Sequence, residues 1–302
     1  MSFPGLTRES AQDSDLKIVG SSPTMTIIYM TDYVFIDSGV GGIPYMMKLL
    51  EKKPEASCIY VADTANFPYG EKSHEQVVDC VKALVQKICE KFTPKVIVIA
   101  CNTMSVNALE AARKAFPDIQ FVGTVPAIKL AASFSKKRRI GLLATHATCE
   151  NPYNIELKEK FAADCEIINR PDPDLISFIE HNAFTASREE CLKAVQPAVK
   201  YFREQNCDVM ILGCTHFLNF TDVFEEAAAP DIKVVDSVDG VVRHAISVVE
   251  SEHTVVECSR SECIETTETT AHLFLTSLTD EQEKNQYDTL CRNFGISFNG
   301  LI

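Results

Sequence analysis

The chain is short of positive charge. Its 302 residues hold 29 Lys and Arg against 42 Asp and Glu, a formal net charge of −13. Nucleic acid and anionic membrane are therefore poor partners, since both meet a repelling field. No charged head followed by an apolar core opens the sequence, so no secretory leader is expected. No apolar run is long enough to span a bilayer, and the expected location is a reducing cytoplasm. A Cys-x-x-Cys pair is missing, which argues against a thiol oxidoreductase. The glycine-rich turn Gly39-Val40-Gly41-Gly42 lacks the Lys and the length of a P-loop, and the spacing of a dinucleotide fingerprint.

Cysteine is abundant instead, with twelve residues. In a chain of this length that count does not suggest a disulfide scaffold. Those in helix-like stretches (Cys80, Cys89, Cys191) read as small buried hydrophobes. Two others stand apart. Val96–Ala100 leads into Cys101-Asn102-Thr103, and Val209–Gly213 leads into Cys214-Thr215-His216-Phe217. In each, a continuous apolar run ends in a small residue and then cysteine. Such runs read as strands buried on both faces of a parallel sheet. Ligands in open α/β sheets bind just beyond the carboxyl ends of such strands, so both thiols fall where a site would be.

The rest of the chain alternates in the same way. Strands are expected over 26–36, 58–62, 121–125, 140–144, 233–235 and 272–276. Helices are expected from the glycine turn to Leu50, over 74–92, 107–116, from Pro126, over 151–162, 186–205, 241–250 and 280–294. Pro94 should break the chain before the first cysteine strand. Residues 1–25 are polar and aperiodic and should form a loose arm. Alternating strands and helices imply an α/β fold with parallel sheets. Ile36-Asp37-Ser38-Gly39 is echoed by Val235-Asp236-Ser237, which suggests two similar halves with a site between them. Asp37 and Ser38 on their own are equally ordinary turn and cap residues, and His216 on its own a packed or capping histidine. The 63–73 segment reads as a functional loop or a plain connection.

Taken together, Asp37-Ser38-Gly39-Val40-Gly41-Gly42, Phe67-Pro68-Tyr69-Gly70-Glu71-Lys72-Ser73, Ala100-Cys101-Asn102-Thr103, Gly123-Thr124-Val125-Pro126-Ala127-Ile128-Lys129 and Gly213-Cys214-Thr215-His216-Phe217 resemble the glutamate racemases of the aspartate/glutamate racemase family. The likeness covers roughly 26–250. It implies two similar α/β domains with mainly parallel sheets flanked by helices, and an active site in the interdomain cleft. The implied parts are a loose extension over 1–30, a first domain of 31–123 with 237–302, and a second of 124–236. It implies Cys101 and Cys214 as catalytic acid/base groups, with Asp37 and His216 beside them respectively. Asp37, Ser38, Tyr69, Gly70, Asn102, Thr103, Thr215 and His216 are the implied substrate-binding residues. No metal or organic cofactor is implied. A homodimer, and a role in supplying D-glutamate for peptidoglycan, complete the expectation.

The chemistry agrees with that assignment. Racemisation removes a proton from one face of Cα and returns one to the other. A single base tends to return the proton to the side it came from, whereas two groups on opposite faces invert the centre and exchange roles in reverse. By the resemblance, Cys101 deprotonates D-glutamate and Cys214 L-glutamate. A free thiol has a pKa of about 8.5 and needs help to act as a base. A racemase of the same fold acting on aspartate is the nearest alternative. The sequence departs from the family at Leu218, where Pro is usual, at Ile43-Pro44, at His146, where Glu or Arg is common, and at Cys149.

Overall fold

The computed structural model describes residues 16–17, 28–182, 185–256 and 271–302. In chain order its strands are β1 (Leu16–Lys17), β2 (Ile28–Asp37), β3 (Cys58–Ala62), β4 (Phe92–Ile99), β5 (Gln120–Gly123), β6 (Arg139–Ala144), β7 (Glu166–Pro171), β8 (Val209–Leu212), β9 (Lys233–Val235), β10 (Ala271–Leu275) and β11 (Ser297–Leu301). They form two sheets. The first has seven strands, in the order β11-β10-β3-β2-β4-β5 with β1 paired to β2; the second has four, in the order β7-β6-β8-β9. Every pairing is parallel except β1 with β2. Most of the loose extension expected over 1–30 lies outside the described residues; 16–17 and 28–30 are strand. Among the described residues no helix is long and apolar enough to cross a membrane.

The pleat of the first sheet explains its unbroken apolar runs. Val34, Ile36, Ile97 and Ile99 point to one face and pack on helices His74–Lys91 and Asn102–Ala115. Tyr33, Phe35, Val96 and Val98 point to the other, against Tyr45, Met46 and Leu49 of helix Ile43–Lys52. A strand covered on both faces needs hydrophobic residues at every position. The second core continues from the first sheet into the second through Leu143, Met210, Leu212 and Phe202. The two sheets therefore share one apolar seam.

Capping chemistry starts the longer helices. Ser73 and Gln76 form a capping box at one, and Ser187 and Glu190 at another, meeting backbone N–H groups that have no partner inside the helix. Three expectations change. The helix expected over 107–116 begins at Asn102; its first turn, Asn-Thr-Met-Ser, carries short polar side chains whose ordinary place is outside a helix. Pro94 does not break the chain but lies inside β4. There β4 pairs with β2, while β5 joins only from Val96, and a missing N–H is tolerated at a strand's unpaired side. The helix expected over 241–250 runs from Val238 to Val256.

Packing is tightest where helix Arg188–Glu204 lies on β6. A Cβ at Gly141 would stand 2.5 Å from Cδ1 of Phe202, whose ring is fully buried. Gly141→Ala should therefore destabilise the fold by about 1–3 kcal/mol through overpacking. A lowered urea midpoint at unchanged slope checks this.

Candidate active site

The carboxyl ends of both sheets meet at a cavity of about 360 Å³. Cys101 and Cys214 both line it, each about 6% exposed. Cys101 follows β4 by two residues and is the N-cap of helix Asn102–Ala115. The free N–H groups of that helix's first turn open at the thiol and favour negative charge there. Cys214 follows β8 by two residues and precedes a 3-10 turn over Thr215–Phe220. The two strands deliver their cysteines in the same way from opposite sides of the seam.

Behind Cys101 lies Asp37, at the end of β2 and fully buried. Its Oδ1 accepts the Ser38 N–H at 2.7 Å. Its Oδ2 accepts the Gly42 N–H at 2.7 Å, the Tyr60 hydroxyl at 3.1 Å and, across the seam, the Thr215 hydroxyl at 3.2 Å. Gly42 must be glycine for this approach: a Cβ there would lie 2.8 Å from Ala100 Cβ and 2.9 Å from Tyr60 Oη. Burial raises the Asp37 carboxyl above the usual range, against the pull of the His216 charge and the donors around it. Burial also holds the Cys101 thiol well above its usual value. The Asp37 carboxylate adds to that, and the Met104 N–H opposes it. Burial thus favours the thiol form of Cys101, beside a carboxyl group that is itself shifted upward.

Behind Cys214 the partner is different. Its Sγ lies 3.5 Å from His216 Nδ1, and His216 Nε2 lies 2.7 Å from Glu180 Oε2. Burial alone would push the imidazole down. The Glu180 carboxylate and the Cys214 sulfur more than offset this and hold His216 well above its ordinary value. A buried imidazole paired with a carboxylate thus lies beside one sulfur and a buried carboxyl group beside the other. Glu180, on helix Pro173–Asn182, belongs to no sequence motif. The signal for it is spatial: a Cβ at Gly39 would meet its Oε1 at 2.8 Å.

The structure brings the remaining expected residues to the same cavity: Ser38, Tyr69, Gly70, Asn102, Thr103 and Thr215 all line it. Their polar groups are differently employed. The Tyr69 hydroxyl donates to Asp63 Oδ2 at 2.5 Å. Asp63 also accepts from Asn66 and from the Thr276 hydroxyl at 2.7 Å, and Thr64 bonds Ser277. Thr103 Oγ1 pairs with Thr145 Oγ1 across the seam at 3.0 Å. Asn102 Oδ1 is buried and has no hydrogen-bond partner among the described residues, an acceptor left for a ligand's donor. Glu71, Thr145, His146 and Ser177 complete the polar lining; Thr145 and His146 are part of a threonine-rich loop, and Ser177 has no motif. The echo at Asp236-Ser237 is put to other use: Asp236 accepts from Val238 N–H at a helix start and Ser237 meets the Tyr45 hydroxyl.

The family model for Asp/Glu/hydantoin racemases matches residues 45–245. The glutamate racemase of Treponema pallidum (strain Nichols) is 42% identical over 214 residues, which is 71% of this chain and 80% of that protein. That of Proteus mirabilis is 34% identical over 251 residues, 82% of each. Among solved structures, Escherichia coli glutamate racemase in complex with L-glutamate and the activator UDP-MurNAc-ala superposes with a TM-score of 0.76 at 28% identity, over 90% of this chain and 98% of that one.

The His216–Glu180 contact makes a measurable claim. A group whose folded pKa is raised contributes stability that is full below its unfolded value, about 6.5 for imidazole, and is lost as pH rises through the folded value. Glu180→Gln removes the carboxylate charge. It should bring the His216 titration down, as read by imidazole NMR shifts. The variant's stability deficit should be largest at acidic pH and shrink as pH rises through the wild-type His216 titration.

Proposed function

The chain belongs to the Asp/Glu/hydantoin racemase family, and from that membership we propose that its cavity interconverts L- and D-glutamate by proton transfer between two thiols. The carrying observation is that Cys101 and Cys214 open into one cavity from opposite sheets, one backed by Asp37 and the other by Glu180-supported His216.

With D-glutamate bound, Cys101 passes its proton to Asp37 and becomes a thiolate. The thiolate takes the Cα proton, leaving an enolate-like carboxylate. Cys214 then protonates Cα from the other face, and L-glutamate results. His216 restores the proton to Cys214. The reverse direction exchanges the two roles, as inversion at one carbon requires. The substrate ammonium has an acceptor in Asn102 Oδ1. Its carboxylates have the open N–H groups at the start of helix Asn102–Ala115, an anion-binding geometry that needs no fixed cation. The same donors favour the charge that grows on the α-carboxylate as the proton leaves. Both thiols are about 6% exposed, and burial of that degree strengthens each of these interactions.

On this reading the first unit is 31–123 with 237–302 and the second 124–236, in line with the strand membership of the two sheets. The enzyme is cytoplasmic and works as a homodimer, and its D-glutamate is a building block for peptidoglycan.

Either Cys101→Ser or Cys214→Ser should lower racemisation by at least about a hundredfold, the scale of losing one acid/base group, with the unfolding midpoint retained. In deuterated water the wild-type enzyme should place deuterium at Cα of both glutamate enantiomers. Full activity in both variants would rule out the two-thiol mechanism. Inversion of aspartate alone would move the substrate to the shorter acid.

A further inference from the structure

Tyr60 has no part in the sequence motifs. It sits in the middle of β3, fully buried, and its ring is core. Its hydroxyl, however, stands at a junction beside Asp37. It accepts the Gly42 N–H at 3.0 Å. Its single proton has two acceptors within reach: Asp37 Oδ2 at 3.1 Å and the Gly39 carbonyl at 3.0 Å. A phenol has one donor and two acceptor lone pairs, so these three contacts allow two complete arrangements. When Asp37 is ionised, Tyr60 donates to Oδ2. When Asp37 carries a proton on Oδ2, that proton points at Tyr60 Oη, and Tyr60 turns its own to Gly39. No atom but hydrogen needs to move.

We propose that Tyr60 is a positioning residue that lets Asp37 alternate between carboxylate and carboxylic acid while Cys101 alternates between thiol and thiolate. The inference rests on the two-thiol reading of the site. The protons balance. Cys101 loses one to Asp37; Tyr60 gains and loses none, changing only which oxygen receives its hydroxyl proton. Once Cys101 has taken the Cα proton it is a thiol again, Asp37 holds one proton more than at the start and His216, having recharged Cys214, one fewer. The proton Asp37 releases to solvent in the opened cavity is matched by the one His216 takes up, and the Tyr60 proton returns to Oδ2. A buried carboxylate whose neighbours were all fixed donors would be held ionised, because its acid form would face donor against donor. Ser38 and Gly42 N–H are fixed donors of that kind; on Oδ2 the hydroxyls of Tyr60 and Thr215 are the rotatable ones, and Tyr60 has the Gly39 carbonyl at 3.0 Å to turn to. Burial already favours the acid form. The titratable groups around Asp37 are Cys101 beyond β4, His216 from the second sheet, Tyr60 from β3 and Tyr45 from helix Ile43–Lys52.

The test uses the full chain with Tyr60→Phe, which keeps the ring and deletes only the hydroxyl. The expected result is a fall in kcat of about tenfold with KM held within about twofold, the pattern of an interaction absent from the ground-state complex. A role confined to packing would not alter which proton transfer limits the rate, so the deciding readout is the isotope effect of α-deuterated substrate. With D-glutamate, whose proton Cys101 removes, the effect should rise above that of the wild type; with L-glutamate it should fall toward unity. Should Tyr60→Phe fail to fold, meta-fluorotyrosine in place of Tyr60 keeps the side chain's shape. It makes the phenol a better donor and a poorer acceptor, and the same imbalance should appear to a smaller degree. Unchanged isotope effects in whichever of these proteins folds would overturn the role of Tyr60. Failure of the unaltered enzyme to turn over glutamate would overturn the two-thiol reading itself, and is seen before any variant is made.

Discussion

A carboxylate sealed from water is the constraint around which this site is arranged. Asp37 is fully buried in a chain that already carries a net charge of −13. Ionised, it is tolerable only with its oxygens met by donors. The backbone supplies two, from Ser38 and Gly42, and this requires a glycine-rich turn that folds back on the strand end. The Thr215 donor follows the end of β8 in the other sheet, so satisfying Asp37 draws on both sheets. The position of Cys214, one residue before Thr215, follows from the same bond.

The two sulfur atoms have similar surroundings in burial and opposite surroundings in charge. Cys101 lies beside the Asp37 carboxyl group and Cys214 beside the His216–Glu180 pair. On the proposed mechanism that difference gives the two sulfurs opposite tasks.

Much of this was legible in the sequence because the cysteines end strands that are apolar at every position, and that pattern reports burial on both faces. Asp37 and His216 could be read beside them only as members of a set of motifs; each alone is an unremarkable polar residue at a turn. Glu180 could not be read at all. Nothing near it in sequence marks it, and it reaches His216 because helix Pro173–Asn182 packs over the 215–220 turn. Tyr60 was hidden for another reason: within Cys-Ile-Tyr-Val-Ala a tyrosine reads as a strand residue, and only the tertiary fold shows where its oxygen ends up. The early start of helix Asn102–Ala115 was masked by residues that normally stop short of helices, and those are the residues whose polar atoms the cavity needs. The Asp-Ser echo pointed to two similar halves without marking a second site residue, because a dipeptide suited to capping recurs wherever a strand gives way to a helix.

The Thr276 hydroxyl and the Ser277 backbone, just past β10, tie the 63–71 loop to the first sheet through Asp63 and Thr64. That loop carries Tyr69 and Gly70 over the cavity, and the Tyr69 ring is anchored to Asp63 in turn. A wall stitched to the sheet behind it is a poor flap. The opposite boundary is bonded too: Thr103 meets Thr145 at 3.0 Å, and a Cβ on Gly70 would stand 3.1 Å from that threonine. The cavity's rim is thus a set of mutual attachments, a phenol held from behind on one side and paired threonines on the other.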